Sequence, residues 1–235
     1  MMHDVREINC EVEAFGELTH DTRSIRLKIL EGGPLTFSAG QYAKVVYQNG
    51  TEKYYSIASI PGDTDIEFHI RRSGEGTSSS HFVLDKLTIG DPVTVTAPMG
   101  GSYLRADHPG PMLCVAGGSG LAPIRSIVET SLRDQPEREI HLYFGVRDER
   151  DIYFEERFSS LANTHEQFFF TPVLSEPSRK TKRRTGFVHE AIAADLSNFA
   201  NWKAYLCGPP IMVDSVKDLL KQHDVHDDDI YADAY

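Results

Sequence analysis

The stretch Met112-Leu-Cys-Val-Ala-Gly-Gly-Ser-Gly-Leu-Ala-Pro-Ile124 decides how the second half of the chain folds. It begins with a continuous apolar run and passes through glycines into a segment whose apolar residues recur at helical spacing. A buried strand that leads into a helix is typical of a parallel sheet with crossover connections. Three more strand–helix pairs follow, with strands predicted at 140–146, 168–174 and 204–207 and helices around 154–161, 188–196 and 212–220.

The first half of the chain has a different pattern. Apolar and polar residues alternate at 25–29, 66–70 and 93–95, and Gly, Pro, Asp or Asn bound each segment. Several short strands at such spacing indicate a small antiparallel barrel or sandwich. We interpret it as a Greek-key type β-barrel, interrupted by a short helix at 79–87. The breaker at 107–111 separates the two patterns, so the predicted domains are 1–107 and 108–235.

Composition restricts the function. The 235 residues carry 24 basic and 35 acidic side chains, and a net charge of −11 argues against nucleic acid as the main partner. No apolar run approaches the roughly 20 residues of a membrane span. Cys10, Cys114 and Cys207 are odd in number and far apart, which favours free thiols, no iron–sulfur cluster on this chain, and a cytoplasmic location. The run 223–229 is interpreted as an acidic turn, so no metal site is predicted.

Two motifs of the second half lie at the ends of strands. Gly117-Gly118-Ser119-Gly120 joins a buried strand to a helix, where a dinucleotide pyrophosphate could approach the backbone and the helix N-terminus. The spacing is also that of an ordinary turn. Cys207-Gly208-Pro209-Pro210 follows a later strand, at the edge where open α/β sheets bind ligands, although a lone cysteine there is often only a buried thiol.

Two motifs of the first half have similar alternatives. Lys53-Tyr54-Tyr55-Ser56-Ile57-Ala58-Ser59 is either a strand with one packed tyrosine or a surface that presents a cation, aromatic rings and a hydroxyl to a ligand. Gly74-Glu75-Gly76-Thr77-Ser78-Ser79 precedes the short helix and supplies a second anion-binding helix start. The basic run 179–184 is either a solvated loop or a contact site for an acidic partner.

The four motifs occur in the order of the ferredoxin–NADP reductase superfamily, and over nearly its whole length the chain resembles the reductase components of bacterial oxygenases. The resemblance places Tyr55 against the isoalloxazine ring of FAD and the Ser56 hydroxyl near flavin N5. It also implies that flavin and its phosphates are held by Lys53, Tyr54, His69, Ile70, Arg71, Gly76, Thr77, Ser78 and Ser79. Lys53 stands where the family usually has arginine. Lysine can neutralise a phosphate, but it lacks the planar guanidinium fork of arginine.

The resemblance also implies the nicotinamide side of the site. Cys207 would lie near nicotinamide C4, and Asp233 and Tyr235 match the acidic and aromatic positions at the family's C-terminus, where the aromatic ring covers the flavin. We therefore count Ser56, Cys207, Asp233 and Tyr235 as catalytic candidates. The residues that would line the dinucleotide groove are Gly117, Gly118, Ser119, Gly120, Pro123, Arg147, Gly208 and Pro209.

The function that follows is hydride transfer from a nicotinamide nucleotide to FAD, with electrons passing to a separate acceptor, a two-iron two-sulfur ferredoxin or an oxygenase component. Asp148 and Glu149 would repel a 2′-phosphate and favour NADH, whereas Arg147 and Arg150 keep NADPH possible. The alternatives are a reductase that releases reduced flavin and a non-catalytic electron-transfer subunit. The phosphate-binding helix start argues against the first, and the filled catalytic positions argue against the second.

Overall fold

The structure, a computed structural model, describes residues 3–72 and 79–234, with only the backbone over 79–81. Six antiparallel strands form the first sheet, in the order β4-β3-β6-β1-β2-β5. Their bounds are β1 Arg6–Glu17, β2 Thr22–Ile29, β3 Tyr42–Tyr47, β4 Glu52–Ser56, β5 Asp65–Arg71 and β6 Pro92–Met99. A bridge between Ile57 and Phe68 connects the two edge strands and closes the sheet into a barrel. The predicted Greek-key type barrel is confirmed.

Alternation along the barrel strands determines which side chains form its core. Ile8, Cys10 and Val12 of β1 are buried, while the residues between them are at least partly exposed. These side chains pack with those of the neighbouring strands because successive residues of a strand point to opposite faces. The short helix α1 (Ser79–Asp85) closes one end of the barrel with Val83 and Leu84 and stops two residues before the predicted end.

The second sheet is parallel throughout, in the order β10-β9-β8-β7-β11-β12. Its strands are β7 Met112–Gly117, β8 Ile140–Val146, β9 Phe168–Leu174, β10 Arg184–Thr185, β11 Lys203–Gly208 and β12 Ile230–Ala234. The helices that connect them are α2 Leu121–Asp134, α3 Glu155–Thr164, α4 Val188–Asp195 and α5 Pro210–Gln222. Strand β7 is buried along its whole length, as a central parallel strand requires. The predicted parallel α/β sheet is confirmed.

Several details differ from the prediction from sequence, among them the two-residue strand β10, which begins in the basic run predicted as a loop. Helix α3 begins at Glu155 rather than near Phe154, because Phe154 has a left-handed backbone conformation with φ of 57°. Strand β12, which pairs with β11 from Ala204↔Ile230 to Gly208↔Ala234, was not predicted. It follows an acidic turn and contains only five residues, so its sequence carries little periodicity.

The segment between the two sheets is bound to the second one. The guanidinium carbon of Arg105 lies 3.7 Å from the ring centre of Tyr103 and 4.2 Å from that of Tyr231 on β12. The backbone N–H of Arg105 also donates to the Tyr205 hydroxyl at 2.9 Å. The connection is therefore fixed against β11 and β12. The longest helix, α2, has 14 residues, and no helix within the described ranges has the length and apolar character needed to cross a bilayer.

Candidate functional site

A groove of about 340 Å³ lies at the carboxyl ends of β7, β8 and β9, within the range of small-molecule sites. Its walls come from both sheets: Thr19, Asp21, Thr22 and Arg71 belong to the barrel, and the others belong to the parallel sheet and its loops. The residues of the second wall include Gly117, Gly118, Arg147, Tyr153, Ser175, Phe187 and Pro209. A ligand in this groove would therefore contact both domains.

The turns that form the bottom of the groove touch each other. A Cβ atom on Gly120 would lie 2.2 Å from the Cys207 carbonyl oxygen, and one on Gly117 would lie 2.8 Å from Pro209 Cδ. These two glycines are therefore required for the packing of one turn on the other. Gly118 is different: its φ of 54° is left-handed, and the nearest atom to its absent Cβ is Arg71 Nη1, at 3.4 Å. Gly117 and Gly118 line the groove, and Gly118 is the one that lies beside Arg71.

A cation of the barrel stands beside this glycine. Arg71 Nε donates to Asp21 Oδ2 at 2.8 Å, and Asp21 Oδ1 accepts from the Thr19 and Thr22 hydroxyls at 2.9 and 3.0 Å. Burial would raise the pKa of Asp21, but the hydrogen bonds from Arg71 and the two threonines bring it below its usual value. Arg71 thus presents a fixed positive charge to the groove, next to the start of α2.

Cys207 and Asp233 are partners in the register of β11 and β12. Burial raises the pKa of the Cys207 thiol well above its usual value, and the carboxylate of Asp233 acts in the same direction. Burial likewise raises the pKa of Asp233. The thiol is therefore neutral, and Cys207 is not a thiolate nucleophile. The structure brings together two of the four catalytic candidates, while Tyr235 lies outside the described residues.

Ser56 ends β4 and pairs with Tyr42 of β3. The Tyr54 side chain shares its face of the sheet, is 61% exposed, and meets the Tyr42 ring edge-on with centroids 6.0 Å apart. Tyr55 points to the other face, where its ring packs on Phe68 at 5.9 Å. Burial raises the pKa of Tyr55 to about 12, with a hydrogen bond from Tyr47 acting in the opposite direction. The half-buried Ser56 and the rings of Tyr42 and Tyr54 beside it are consistent with binding of a planar aromatic ligand.

The remaining candidate residues from the sequence differ in burial and in their position relative to the groove. Lys53 is half-buried on β4, Ile70 belongs to the barrel core, and Pro123 is buried in the first turn of α2 without lining the groove. Gly208 is buried beneath the groove and Ser119 lies in the turn before α2. Gly76, Thr77 and Ser78 lie outside the described residues, and of Ser79 only the backbone at the start of α1 is described.

Asp148 and Glu149, the acidic pair that follows β8, are bonded to the loop that contains Ser178 and Thr181. Asp148 accepts the backbone N–H groups of Ser178 at 3.1 Å and Glu149 at 2.9 Å, and these bonds lower its pKa. Glu149 accepts from the Thr181 hydroxyl at 2.7 Å and lies 3.6 Å from Arg183 Nε. Arg147 is the member of 147–150 that lines the groove. Within the basic run, Arg183 and Arg184 form ion pairs, while Arg179, Lys180 and Lys182 are exposed.

A buried polar cluster between the domains was not predicted from the sequence. Glu67 of β5 accepts from Arg125 Nη1 of α2 at 2.8 Å and contacts His69 Nε2 at 3.0 Å. Burial would raise the pKa of Glu67, but His69 and Arg125 lower it to about 2. Glu129 accepts from Arg125 and Arg157, at 3.2 and 2.5 Å. The alternation in 66–70 places Glu67 and His69 on one face, but no sequence signal shows that α2 covers this face.

The residues of the groove fit a nicotinamide dinucleotide: Arg71 and Arg147 supply positive charge, and the turn before α2 supplies a helix start for phosphate. The β4 surface fits a flavin, with tyrosine rings for stacking and a serine hydroxyl for a hydrogen bond. FAD bound there would supply hydride acceptance from the nicotinamide and release of single electrons.

Comparison with known proteins agrees with this geometry. Residues 9–103 match the model of an oxidoreductase FAD-binding domain, and residues 114–218 match that of an oxidoreductase NAD-binding domain. The chain is 42% identical over 235 residues to the ferredoxin–NAD(P)+ reductase component of the naphthalene 1,2-dioxygenase/salicylate 5-hydroxylase systems of a Ralstonia species. That match covers 100% of this chain and 71% of the relative.

Other relatives are reductases of similar systems. The reductase subunit of an aromatic O-demethylase from Amycolatopsis is 37% identical over 218 residues, which are 91% of this chain and 64% of the relative. Among solved structures, a cytochrome P450 reductase from Amycolatopsis superposes with a TM-score of 0.91 at 35% identity, covering 99% of this chain and 71% of that one. The ferredoxin reductase in carbazole 1,9a-dioxygenase has a TM-score of 0.88 at 28% identity, covering 100% and 70%.

Proposed function

This chain belongs to the family of FAD- and NAD-binding ferredoxin–NAD(P)+ reductases, and on that premise we propose that it moves a hydride from NAD(P)H to FAD and passes the electrons to a separate acceptor. The observation that carries the proposal is the groove shared by the two domains. Arg71 and Asp21 of the barrel face Gly118 of the second domain across it. A dinucleotide held by the parallel sheet is thereby presented to the domain that matches the FAD-binding model.

The residues of this chain contribute mainly position and charge. Arg71 and the start of α2 neutralise the pyrophosphate of the nucleotide, which places its nicotinamide end near the close-packed turns that hold Cys207. The neutral Cys207 thiol adds no negative charge near the nicotinamide end. With FAD bound, the Ser56 hydroxyl would donate a hydrogen bond at flavin N5, where the hydride arrives.

We further propose the kind of acceptor, the nucleotide and the location. The acceptor is a two-iron two-sulfur ferredoxin or an oxygenase component; the name of the Ralstonia relative describes that protein as the ferredoxin–NAD(P)+ reductase component of dioxygenase and hydroxylase systems. NADH is the preferred donor, because Asp21 and Asp151 also line the groove and disfavour an additional phosphate. The three cysteines are buried free thiols, which is consistent with a cytoplasmic location.

The acceptor is tested by sequential mixing. The protein purified with FAD is reduced by one equivalent of NADH without oxygen and then mixed with a two-iron two-sulfur ferredoxin. We expect the ferredoxin to be reduced while the flavin stays with the protein on gel filtration. Reduced flavin that elutes free of the protein would instead identify a free-flavin reductase. A ferredoxin that remains oxidised would contradict the proposed acceptor.

A further inference from the structure

A segment of the second domain inserts between the two domains beside the groove. The Tyr153 hydroxyl donates to the Gly118 carbonyl oxygen at 3.1 Å and lies 3.4 Å from Nδ1 of His69 on the barrel. The next residue, Phe154, packs on the His69 ring at 5.5 Å and lies under the Arg125 guanidinium at 4.6 Å. Phe154 keeps a left-handed φ of 57°, which is unfavourable for a bulky side chain and persists only where the surroundings enforce it.

His69 of strand β5 connects the barrel to this segment. Its side chain is completely buried, and Nε2 lies 3.0 Å from Glu67 Oε1. Because Nε2 faces a carboxylate, it carries the proton and Nδ1 has none to donate. The single proton of the Tyr153 hydroxyl goes to the Gly118 carbonyl, so His69 holds Tyr153 by ring packing, edge-on with the ring centroids 5.5 Å apart. Burial lowers the pKa of His69, while Glu67 acts in the opposite direction, so the ring is neutral near pH 7. The side chain therefore lies inside the domain interface rather than on the surface of the barrel.

We propose that Tyr153 is a positioning residue for the nicotinamide nucleotide: its ring packs edge-on against the buried His69 ring of the barrel, and its hydroxyl donates to the Gly118 carbonyl and so fixes the peptide that follows Gly118 in the groove. The inference rests on the function proposed above. In a trans peptide the carbonyl and the N–H point in opposite directions, so a fixed Gly118 carbonyl also fixes the direction of the Ser119 N–H. The start of α2 is thereby oriented relative to the strand that carries Arg71.

The position of Glu67 explains why this arrangement is firm. Its carboxylate receives Arg125 from α2 as well as His69 from its own strand, so it joins both domains at one buried point. Ser126 of α2 adds a hydrogen bond from its hydroxyl to the Ser59 carbonyl of the barrel, at 2.7 Å. Removing the Tyr153 hydroxyl therefore leaves the domain contact in place and releases only the Gly118 peptide.

Two substitutions test the inference in the protein with FAD bound. Tyr153→Phe keeps the ring and removes the hydroxyl, and His69→Gln keeps a donor for Glu67 and removes the ring against which Tyr153 packs. We expect Tyr153→Phe to raise the dissociation constant of NAD+, measured by calorimetry, roughly three- to ten-fold with unchanged FAD content. His69→Gln raises it in the same direction, and the double variant is no weaker than Tyr153→Phe, because the residues act through one chain of contacts.

The control is Tyr143→Phe, which removes a tyrosine hydroxyl of the same domain that donates to Asp195 at 3.0 Å, on the opposite face of the sheet. It should leave NAD+ affinity unchanged. Equal affinities of Tyr153→Phe and the unmodified protein, or equal losses in Tyr153→Phe and Tyr143→Phe, would overturn the inference. If Tyr153→Phe does not fold, an unchanged NAD+ affinity of His69→Gln overturns it. Failure of NADH to reduce the flavin of the unmodified protein would instead contradict the proposed function.

Discussion

Ser56 is the residue with the most direct predicted role in the reaction. Its hydroxyl ends β4 on the face that carries Tyr54, and a hydrogen bond there stabilises flavin N5 most strongly as the hydride arrives. We predict that Ser56→Ala slows flavin reduction by NADH roughly ten-fold with FAD still bound. Stopped-flow reduction measures this, with Ser159→Ala, an exposed serine of α3, as the control. Equal rates in Ser56→Ala and the unmodified protein would exclude Ser56 from catalysis.

Arg147 is the residue expected to sense a 2′-phosphate. It lines the groove, whereas its neighbour Arg150 is exposed without lining it. We predict that the protein has a higher kcat/KM for NADH than for NADPH. Arg147→Gln should lower kcat/KM for NADPH several-fold, which corresponds to about 1 kcal/mol of activation free energy, with little effect on kcat/KM for NADH. Arg150→Gln should change neither value.

The result that opposes this prediction is a preference of the unmodified protein for NADPH. Equal losses with the two nucleotides in Arg147→Gln would show that Arg147 does not contact the 2′-phosphate. The structure changes the reasoning behind the preference: Asp148 and Glu149, which the sequence places next to Arg147, bond to the loop of Ser178 and Thr181. Only the folded loop shows this, because the two segments are far apart along the chain.

At the residue scale, motifs predict location better than orientation. The sequence predicts that His69 lies near the end of a barrel strand and that Gly117 follows a buried parallel strand. In the structure His69 is near the end of β5 and Gly117 is the last residue of β7. It does not show that the His69 side chain turns into the domain interface, or that Gly117 and Gly120 are required by packing between turns. These facts depend on contacts between segments that are distant in sequence.

At the scale of elements, the strands of the parallel sheet are predictable because buried strands are continuous apolar runs. The predicted strands 140–146 and 168–174 agree with β8 and β9 at both ends. Strand β12 lies at the sheet edge and is half-buried, so its five residues lack such a run. Its pairing, which brings Asp233 beside Cys207, follows only from the register.

The contact between β5 and α2 should make the free energy of unfolding depend on pH. The pKa of Glu67 is lowered from 4.5 to about 2, so its contribution is complete above pH 4.5 and is lost as the pH falls towards 2. The pKa of His69 is lowered too, so acidification below 6.5 protonates the unfolded chain first and also destabilises the fold. Both groups act in the same direction.

We predict that Glu67→Gln lowers the free energy of unfolding at pH 7 by about 3 kcal/mol and that this difference shrinks as the pH falls below 4.5. Urea unfolding at a series of pH values measures the difference from the unmodified protein. Glu13→Gln, which replaces an exposed carboxylate of β1, is the control and should show no such change. A difference that is independent of pH would mean that the ionised form of Glu67 is not what stabilises the contact.

At the scale of the whole molecule, the two-domain organisation follows from the change of periodicity, whereas the relative placement of the domains does not. The groove requires Arg71 of the barrel next to Gly118, and that approach depends on the contacts of Glu67 with Arg125 and of His69 with Tyr153. No pattern along the chain encodes them, since each joins residues of different domains. Function therefore depends on an interface that only the folded molecule reveals.

The most direct test of hydride transfer is rapid anaerobic mixing of the FAD-loaded protein with NADH that is deuterated or undeuterated at nicotinamide C4. We predict that the visible absorbance of the flavin is lost after one equivalent. Deuterium at the transferred position should slow this loss, because the carbon–hydrogen bond at that position breaks when the hydride is transferred. An absorbance that NADH leaves unchanged would contradict hydride transfer between the two domains.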